Sequence, residues 1–184
     1  ERLWIAPALL VGVVACLVHW RSTGDRPRAH HALLAAGMLV CATAVFVTAV
    51  GAVAERNRAA YGTSVTTDLG EGEIARAYAQ WQRVDVGDHQ RRVPVGSAQR
   101  QAVYAVSPAA AELEPVLEGG ATWWFDIGCS FAGVCTDYLG AHFVWAMRDA
   151  AEATGHTGSG GESQRFFGRL ADEIEAGCGG AFHC

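Results

Sequence analysis

The chain has 184 residues, 14 basic against 19 acidic, for a formal net charge of −5. Every basic residue is an arginine, and no stretch combines dense positive charge with interleaved aromatics. That balance excludes an electrostatic footprint for nucleic acid. The length allows a membrane hairpin and one domain of ordinary size. Exclusive arginine with abundant Ala, Gly and Val reads as the compositional bias of a G+C-rich coding genome.

Two apolar runs come first. Trp4 to Trp20 contains no charge and a single histidine, His19. Its ~25 Å helical length sits at the short end of a bilayer span, with indoles at both ends where they favour the interface. No small-x-small site precedes Arg21, so an anchor fits better than a cleaved signal. Ala32 to Ala54 has neither charge nor proline and is long enough to span with some tilt. Gly37, Ala44, Thr48 and Gly51 recur at roughly helical spacing, either as a helix-approach face or as plain composition. The connector carries Arg21, Arg26 and Arg28 against Asp25, followed by His30 and His31. A short arginine-rich loop stays cytoplasmic. The expected organisation is therefore a transmembrane hairpin over 1–57, with spans of about 4–20 and 32–54. An extracytoplasmic domain over 58–184 follows, on a bacterial plasma membrane. The chain opens on Glu1, which suits a processed chain or a piece of a polytopic one.

Cysteine usage votes on sidedness independently. Cys16 and Cys41 lie within the apolar runs, where a thiol acts as a small apolar group. Cys129, Cys135, Cys178 and Cys184 lie late in the domain, an even number that suits two disulfides in an oxidising compartment. Three pairings are open: two local loops, or either of two crossed staples, which would stabilise more in the chain-entropy model. A zinc site with His183, His142 or His156 is the rival. It fits worse, because the five-residue gaps exceed the usual C-x2-4-C spacing. No metal and no cofactor is expected.

The domain reads as all-α, small and disulfide-stapled. Residues 71–83 set Ile74, Tyr78 and Trp81 on one stripe. Ser97 is expected to cap a short helix through Val106. Ser107-Pro108 supplies an N-cap hydroxyl and a first-turn proline for a helix carrying Leu113, which ends near Pro115 or at Gly119-Gly120. Asp137 is expected to cap a helix through Thr154, ended by Gly155. After a Gly/Ser loop, Glu162 to Ala176 places Phe166, Phe167, Leu170 and Ile174 on one face. Strand candidates are few: Pro94 demotes Arg92 to Val95, and Val65 to Leu69 is ambiguous.

Candidate chemistry is sparse. Thr122-Trp123-Trp124-Phe125-Asp126 puts three aromatics beside a carboxylate, either a binding platform around Trp123 and Trp124 or a core or interface cluster. His142 and Asp149, seven residues apart, share a helix face. With Asp126 or Asp137 they are the acid–base candidates, against a structurally hydrogen-bonded histidine. Arg91 and Arg92, with Arg100, could grip phosphate or carboxylate, although nearby acids favour a solvated face. Asp85, Asp88 and His89 form a polar turn without the spacing of a calcium loop. Phosphate loops, dinucleotide fingerprints, G-x-S-x-G and H-E-x-x-H are all absent.

The stretches Phe143-Val144-Trp145-Ala146-Met147-Arg148-Asp149-Ala150-Ala151 and Phe166-Phe167-Gly168-Arg169-Leu170-Ala171-Asp172-Glu173-Ile174, with the Cys-containing end, resemble extracytoplasmic regions of large bacterial polytopic membrane proteins. Some of these are similar to lipid-carrier-dependent glycosyltransferases. The resemblance implies a polytopic enzyme whose catalytic groups lie off this chain, and it carries no site residue over. Three functions follow as expectations. The first is a membrane-anchored domain that binds a partner subunit, lipid or envelope glycan. The second is a part of such a polytopic enzyme. The third is a small hydrolase using His142 and neighbouring acids. The bilayer is the expected partner in each case.

Overall fold

The computed structural model describes residues 29–67, 70–120 and 123–184. The expected first span, Cys16, the arginines of the connector, Leu69 and Thr122 lie outside them. The chain divides into two units at Glu55 and Arg56.

The first described element, α1 (Ala29–Tyr61), is long and apolar enough to cross a membrane over Ala36–Tyr61. It is the one such helix among the described residues. Met38, Val40 and Val45 are each more than two-thirds exposed, with no polar face opposite them. Water does not favour such a surface, whereas hydrocarbon does. Two hydroxyls in the run turn back onto their own helix. Thr43 Oγ1 donates to the Leu39 carbonyl at 2.9 Å and Thr48 Oγ1 to the Ala44 carbonyl at 2.8 Å. Neither is left for a solvent that lipid cannot supply. The described helix includes His30 and His31, which belong to it rather than to a loop. It also runs seven residues past the apolar boundary at Ala54, because Glu55 to Tyr61 contains no glycine or proline to stop it.

The second unit is mainly helical: α2 (Glu73–Arg83), α3 (Ser97–Tyr104), α4 (Pro108–Pro115), a π-turn (Val116–Gly120), α5 (Trp123–Ala132), α6 (His142–Ala153) and α7 (Gly160–Gly177). Among the described residues the only extended pairings are two isolated bridges, Asp85 with His183 and Cys178 with Phe182. Residues 92–95 and the described part of the other strand candidate, 65–67, form none.

Local signals explain several boundaries. Ser107 Oγ accepts from Ala110 N at 3.0 Å with Pro108 at the first helical position, as the sequence indicates. Ser159 Oγ accepts from Glu162 N at 3.1 Å, so α7 starts earlier than Glu162 and includes Gly160 and Gly161. The N-cap of α3 is Gly96, one residue before Ser97, with Gln99 Oε1 accepting from Gly96 N at 2.7 Å.

The core forms where apolar stripes converge. The α2–α7 pairing is the most extensive helix contact. Ile74, Ala77 and Trp81 of α2 meet Phe166, Phe167, Leu170 and Ile174 of α7, with Phe143, Met147 and Ala150 of α6 beside them. Trp81 stands edge-on to Tyr104 and Phe143 with centroids 5.7 and 5.3 Å apart, a favoured aromatic geometry. Polar contacts fix the helices against one another. Glu173 Oε2 on α7 accepts from Ser107 Oγ at 2.6 Å and Ala109 N at 2.9 Å, placing a carboxylate at the positive end of α4. Arg76 on α2 bonds Glu73 at 2.6 Å, Asp172 at 2.8 Å and the Gly168 carbonyl at 3.0 Å. Its pKa is raised by the hydrogen bonds to Glu73 and Asp172.

Both soluble cysteine pairs close locally, as Cys129–Cys135 and Cys178–Cys184. The open question of connectivity is thereby answered, and the crossed staples are excluded. Among the described residues no group of three metal-ligating side chains exists.

Candidate functional site

A helix replaces what the sequence presents as an aromatic patch. Trp123 to Ala132 contains a glycine, three consecutive aromatics and a cysteine, none of which advertises a helix. It becomes α5 because both flanks are tied to one place. On the near side, Leu117 is fully buried and its carbonyl accepts from Tyr138 Oη at 2.5 Å. On the far side, Asp137 and Tyr138 are buried at 2 % and 0 %. The two flanks of α5 are thus joined at one place, and the stretch between them is termed the excursion.

Arg100 on α3 is the knot of that closure. Its guanidinium is 1 % exposed. It forks onto Glu118, Nε to Oε1 at 2.7 Å and Nη2 to Oε2 at 3.1 Å, and Nη1 also bonds Asp137. One cation thus holds the residue five before α5 and the residue five after it. Nη1 also donates to the Val95 carbonyl at 3.2 Å, and the guanidinium lies 5.0 Å from the centroid of the Tyr138 ring. Tyr104 Oη donates to Glu118 Oε1 at 2.8 Å, while Ser97 N and Tyr138 N donate to Asp137 at 3.1 and 3.0 Å. A buried charge needs this degree of pairing. Burial opposes the Arg100 cation, but Glu118 and Asp137 outweigh it and hold its pKa above the ordinary value. Burial likewise raises Glu118, yet hydrogen bonds and charge from Arg100 bring its carboxyl below the usual range. Burial raises the phenols of Tyr104 and Tyr138.

On this base α5 turns one side inward. Trp124 and Phe125 pack against the core, Phe125 with its centroid 4.7 Å from that of Tyr138. Gly128 is buried where the returning chain passes. A Cβ there would lie 2.9 Å from the Val134 carbonyl oxygen and 3.2 Å from Leu139 Cβ, so only glycine fits. The Cys129–Cys135 disulfide ties the last turn to the return strand of chain. The outer flank carries Trp123 and Phe131, 46 % and 82 % exposed, with the half-buried Ile127 between them.

The structure gathers some of the sequence candidates and separates others. Trp124 is the hub of one group. Its ring lies 3.8 Å from Trp123 and 5.2 Å from His142 by centroid, and its Nε1 donates to Asp149 Oδ2 at 3.1 Å. His142 and Asp149 do share α6, but no hydrogen bond joins them among the described residues, and His142 Nδ1 is buried without a partner. Asp126 is exposed on α5, where its carbonyl accepts from Ser130 Oγ at 2.8 Å. His142 and Asp149 both contact the Trp124 indole, Asp149 by a hydrogen bond and His142 by its ring.

Arg91 and Arg92 are exposed at a turn in which Val93 N bonds the Gln90 carbonyl at 3.1 Å. Arg92 takes a positive φ of 71°, and its carbonyl accepts from Gly140 N at 2.8 Å. Arg100, grouped with them by sequence, belongs to the buried knot instead. Asp137 is no cap of α6, which starts at His142. Its carboxylate is used by Arg100 and by the backbone at Ser97 and Tyr138. Sequence reasoning missed this knot. The available signal was an arginine within the apolar spacing of α3, which a buried partner alone explains.

No protein-family model matches the chain, and neither does any curated protein or solved structure.

Proposed function

We propose that this chain is a membrane-anchored recognition module of a bacterial plasma membrane, with its folded domain on the extracytoplasmic side. A second span over about 4–20 would complete the anchor, with the arginine loop inside the cell. The spanning character of α1 and the two disulfides support this placement. Recognition is favoured over hydrolysis by one observation. Arg100, Glu118 and Asp137 are spent on fixing the flanks of α5, while Trp123 and Phe131 are left displayed on it beside the exposed Asp126. A preorganised aromatic surface loses little entropy on binding. The candidate acid–base groups are either engaged by an indole or apart.

Photo-crosslinking in intact cells tests the reading. A benzophenone residue at Ile127 of the full chain should give a discrete adduct that the same residue at Arg91 does not. Equal, diffuse labelling from both positions would refute a recognition role for α5. Sidedness is read separately. After reduction, Cys184 should react with an impermeant maleimide in intact cells, and labelling only after lysis would reverse the topology.

A further inference from the structure

We infer that Trp123 and Asp126 form a cation site for an arginine or lysine side chain presented by a partner protein, whose neighbouring apolar residues lie over Ile127 and Phe131. The inference rests on the reading of α5 as a recognition face and names the chemistry of its partner. Three observations carry it.

The first is the setting of the indole. The Trp123 ring centroid lies 3.8 Å from that of Trp124, at an interplanar angle of 30°. Trp124 is itself held, by the Asp149 carboxylate at 3.1 Å and by the His142 ring. One side of the Trp123 ring is thus backed by a fixed partner, and the residue is still 46 % exposed. An open indole face is the best aromatic seat for a cation.

The second is the carboxylate beside it. Asp126 is exposed three residues further on, so the two side chains are helix neighbours with Cβ atoms about 5–6 Å apart. Several other acids of the domain are committed: Glu118 and Asp137 to Arg100, and Glu73 and Asp172 to Arg76. The Asp126 carboxylate has no hydrogen bond or ion pair among the described residues.

The third is complementarity. No basic residue lies between Trp123 and Ala132, and the chain carries a net charge of −5. The side chains of this flank accept more than they donate. Ser130 Oγ gives its hydrogen to the Asp126 carbonyl at 2.8 Å, and Trp124 Nε1 gives its own to Asp149. A guanidinium or ammonium group only donates, and so matches the face. A sugar hydroxyl both donates and accepts and would lack donors here. Ile127 and Phe131 follow Trp123 at i+4 and i+8, along the same side of the helix, where a methylene stem and its apolar neighbours can lie. Trp and Arg are also residues that protein interfaces concentrate at their energetic centres.

The test uses the full chain in detergent micelles with 5-fluorotryptophan in place of tryptophan. The Trp123 fluorine signal is identified by its loss in Trp123→Phe. Three probes are titrated: an acetylated pentapeptide alternating leucine and arginine, the same peptide with citrulline for arginine, and the disaccharide diacetylchitobiose. The arginine peptide should move the Trp123 signal saturably, and more weakly as salt rises. Citrulline keeps the shape without the charge and should bind severalfold more weakly. Asp126→Asn, with far-ultraviolet dichroism unchanged, should weaken the arginine peptide severalfold. Asp88→Asn removes an exposed charge elsewhere and should leave it unaffected. Equal binding of the two peptides, equal losses in the two aspartate variants, or no response to the arginine peptide up to its solubility limit would each overturn the inference. So would a Trp123 signal that only the disaccharide moves. If a discrete adduct still forms at Ile127, recognition by α5 then stands with a partner of other chemistry. If none forms, that reading falls as well.

Discussion

Cys129–Cys135 and Cys178–Cys184 each span a sequence separation of 6, yet they hold opposite kinds of structure. The second fastens the chain end inward. Phe182 is 6 % exposed and sits so close to Gly177 that a Cβ there would meet its Cζ at 2.8 Å. Around it Asp85 N bonds the His183 carbonyl, and Gly179 N the Phe182 carbonyl, both at 2.8 Å. The first disulfide lies between two exposed cysteines and closes over Phe131, the most exposed large apolar side chain described. Ring size alone gives the two bridges equal weight, about 2 kcal/mol each in the chain-entropy model. The difference lies in what each loop carries: a core residue in one case and a displayed one in the other. On the proposed function, stability and recognition fall to different staples.

The largest way to break the contrast is to untie the knot beneath α5. Arg100→Met leaves Asp137 buried without its cation and should cost about 3–5 kcal/mol in denaturant unfolding. A loss below about 1 kcal/mol would show that the knot does not hold the excursion. Next comes the inward staple. Replacing Cys178 and Cys184 together by serine should remove the 2 kcal/mol of ring closure and part of the Phe182 packing, about 3 kcal/mol in all. The same change at Cys129 and Cys135 should stay near 2 kcal/mol. Equal losses would erase the distinction.

Acid acts on the knot by a smaller amount. Glu118 has its folded pKa below its unfolded value, so its contribution is fully present above the unfolded value, about 4.3. It is lost as pH falls through the folded value. Glu118→Gln should flatten that acid limb in equilibrium unfolding, and an unchanged limb would remove Glu118 from the account. The smallest effect belongs to the display itself. Phe131→Ala should change stability by no more than about 0.5 kcal/mol, because little of the ring leaves water on folding.

Periodicity made much of the frame legible. The stripes of α2 and α7, the Ser107-Pro108 start and the apolar run of α1 all follow from local residue chemistry that survives in the folded unit. The excursion was not legible in the same way. Helix propensity counts against a segment holding three adjacent aromatics and Gly128, and its helical form comes from closure by residues far away in sequence. Asp137 shows why. As an Asx residue ahead of an apolar run it reads as a cap, but a buried arginine 37 positions earlier claims its carboxylate. Arg91, Arg92 and Arg100 are alike as letters, and burial alone separates two solvent-exposed turn residues from a structural cation. The platform reading of Trp123 and Trp124 mixed two roles that α5 divides, since Trp124 packs inward while Trp123 remains nearly half exposed.

The most direct test separates recognition from stability within one experiment. The benzophenone at Ile127 is carried by three full-length chains in their membrane: the parent, Cys129→Ser with Cys135→Ser, and Cys178→Ser with Cys184→Ser. Adduct yield should fall most on loss of the Cys129–Cys135 staple, although that variant is the more stable of the two. A yield that instead follows stability, lowest without Cys178–Cys184, would contradict the assignment of recognition to α5.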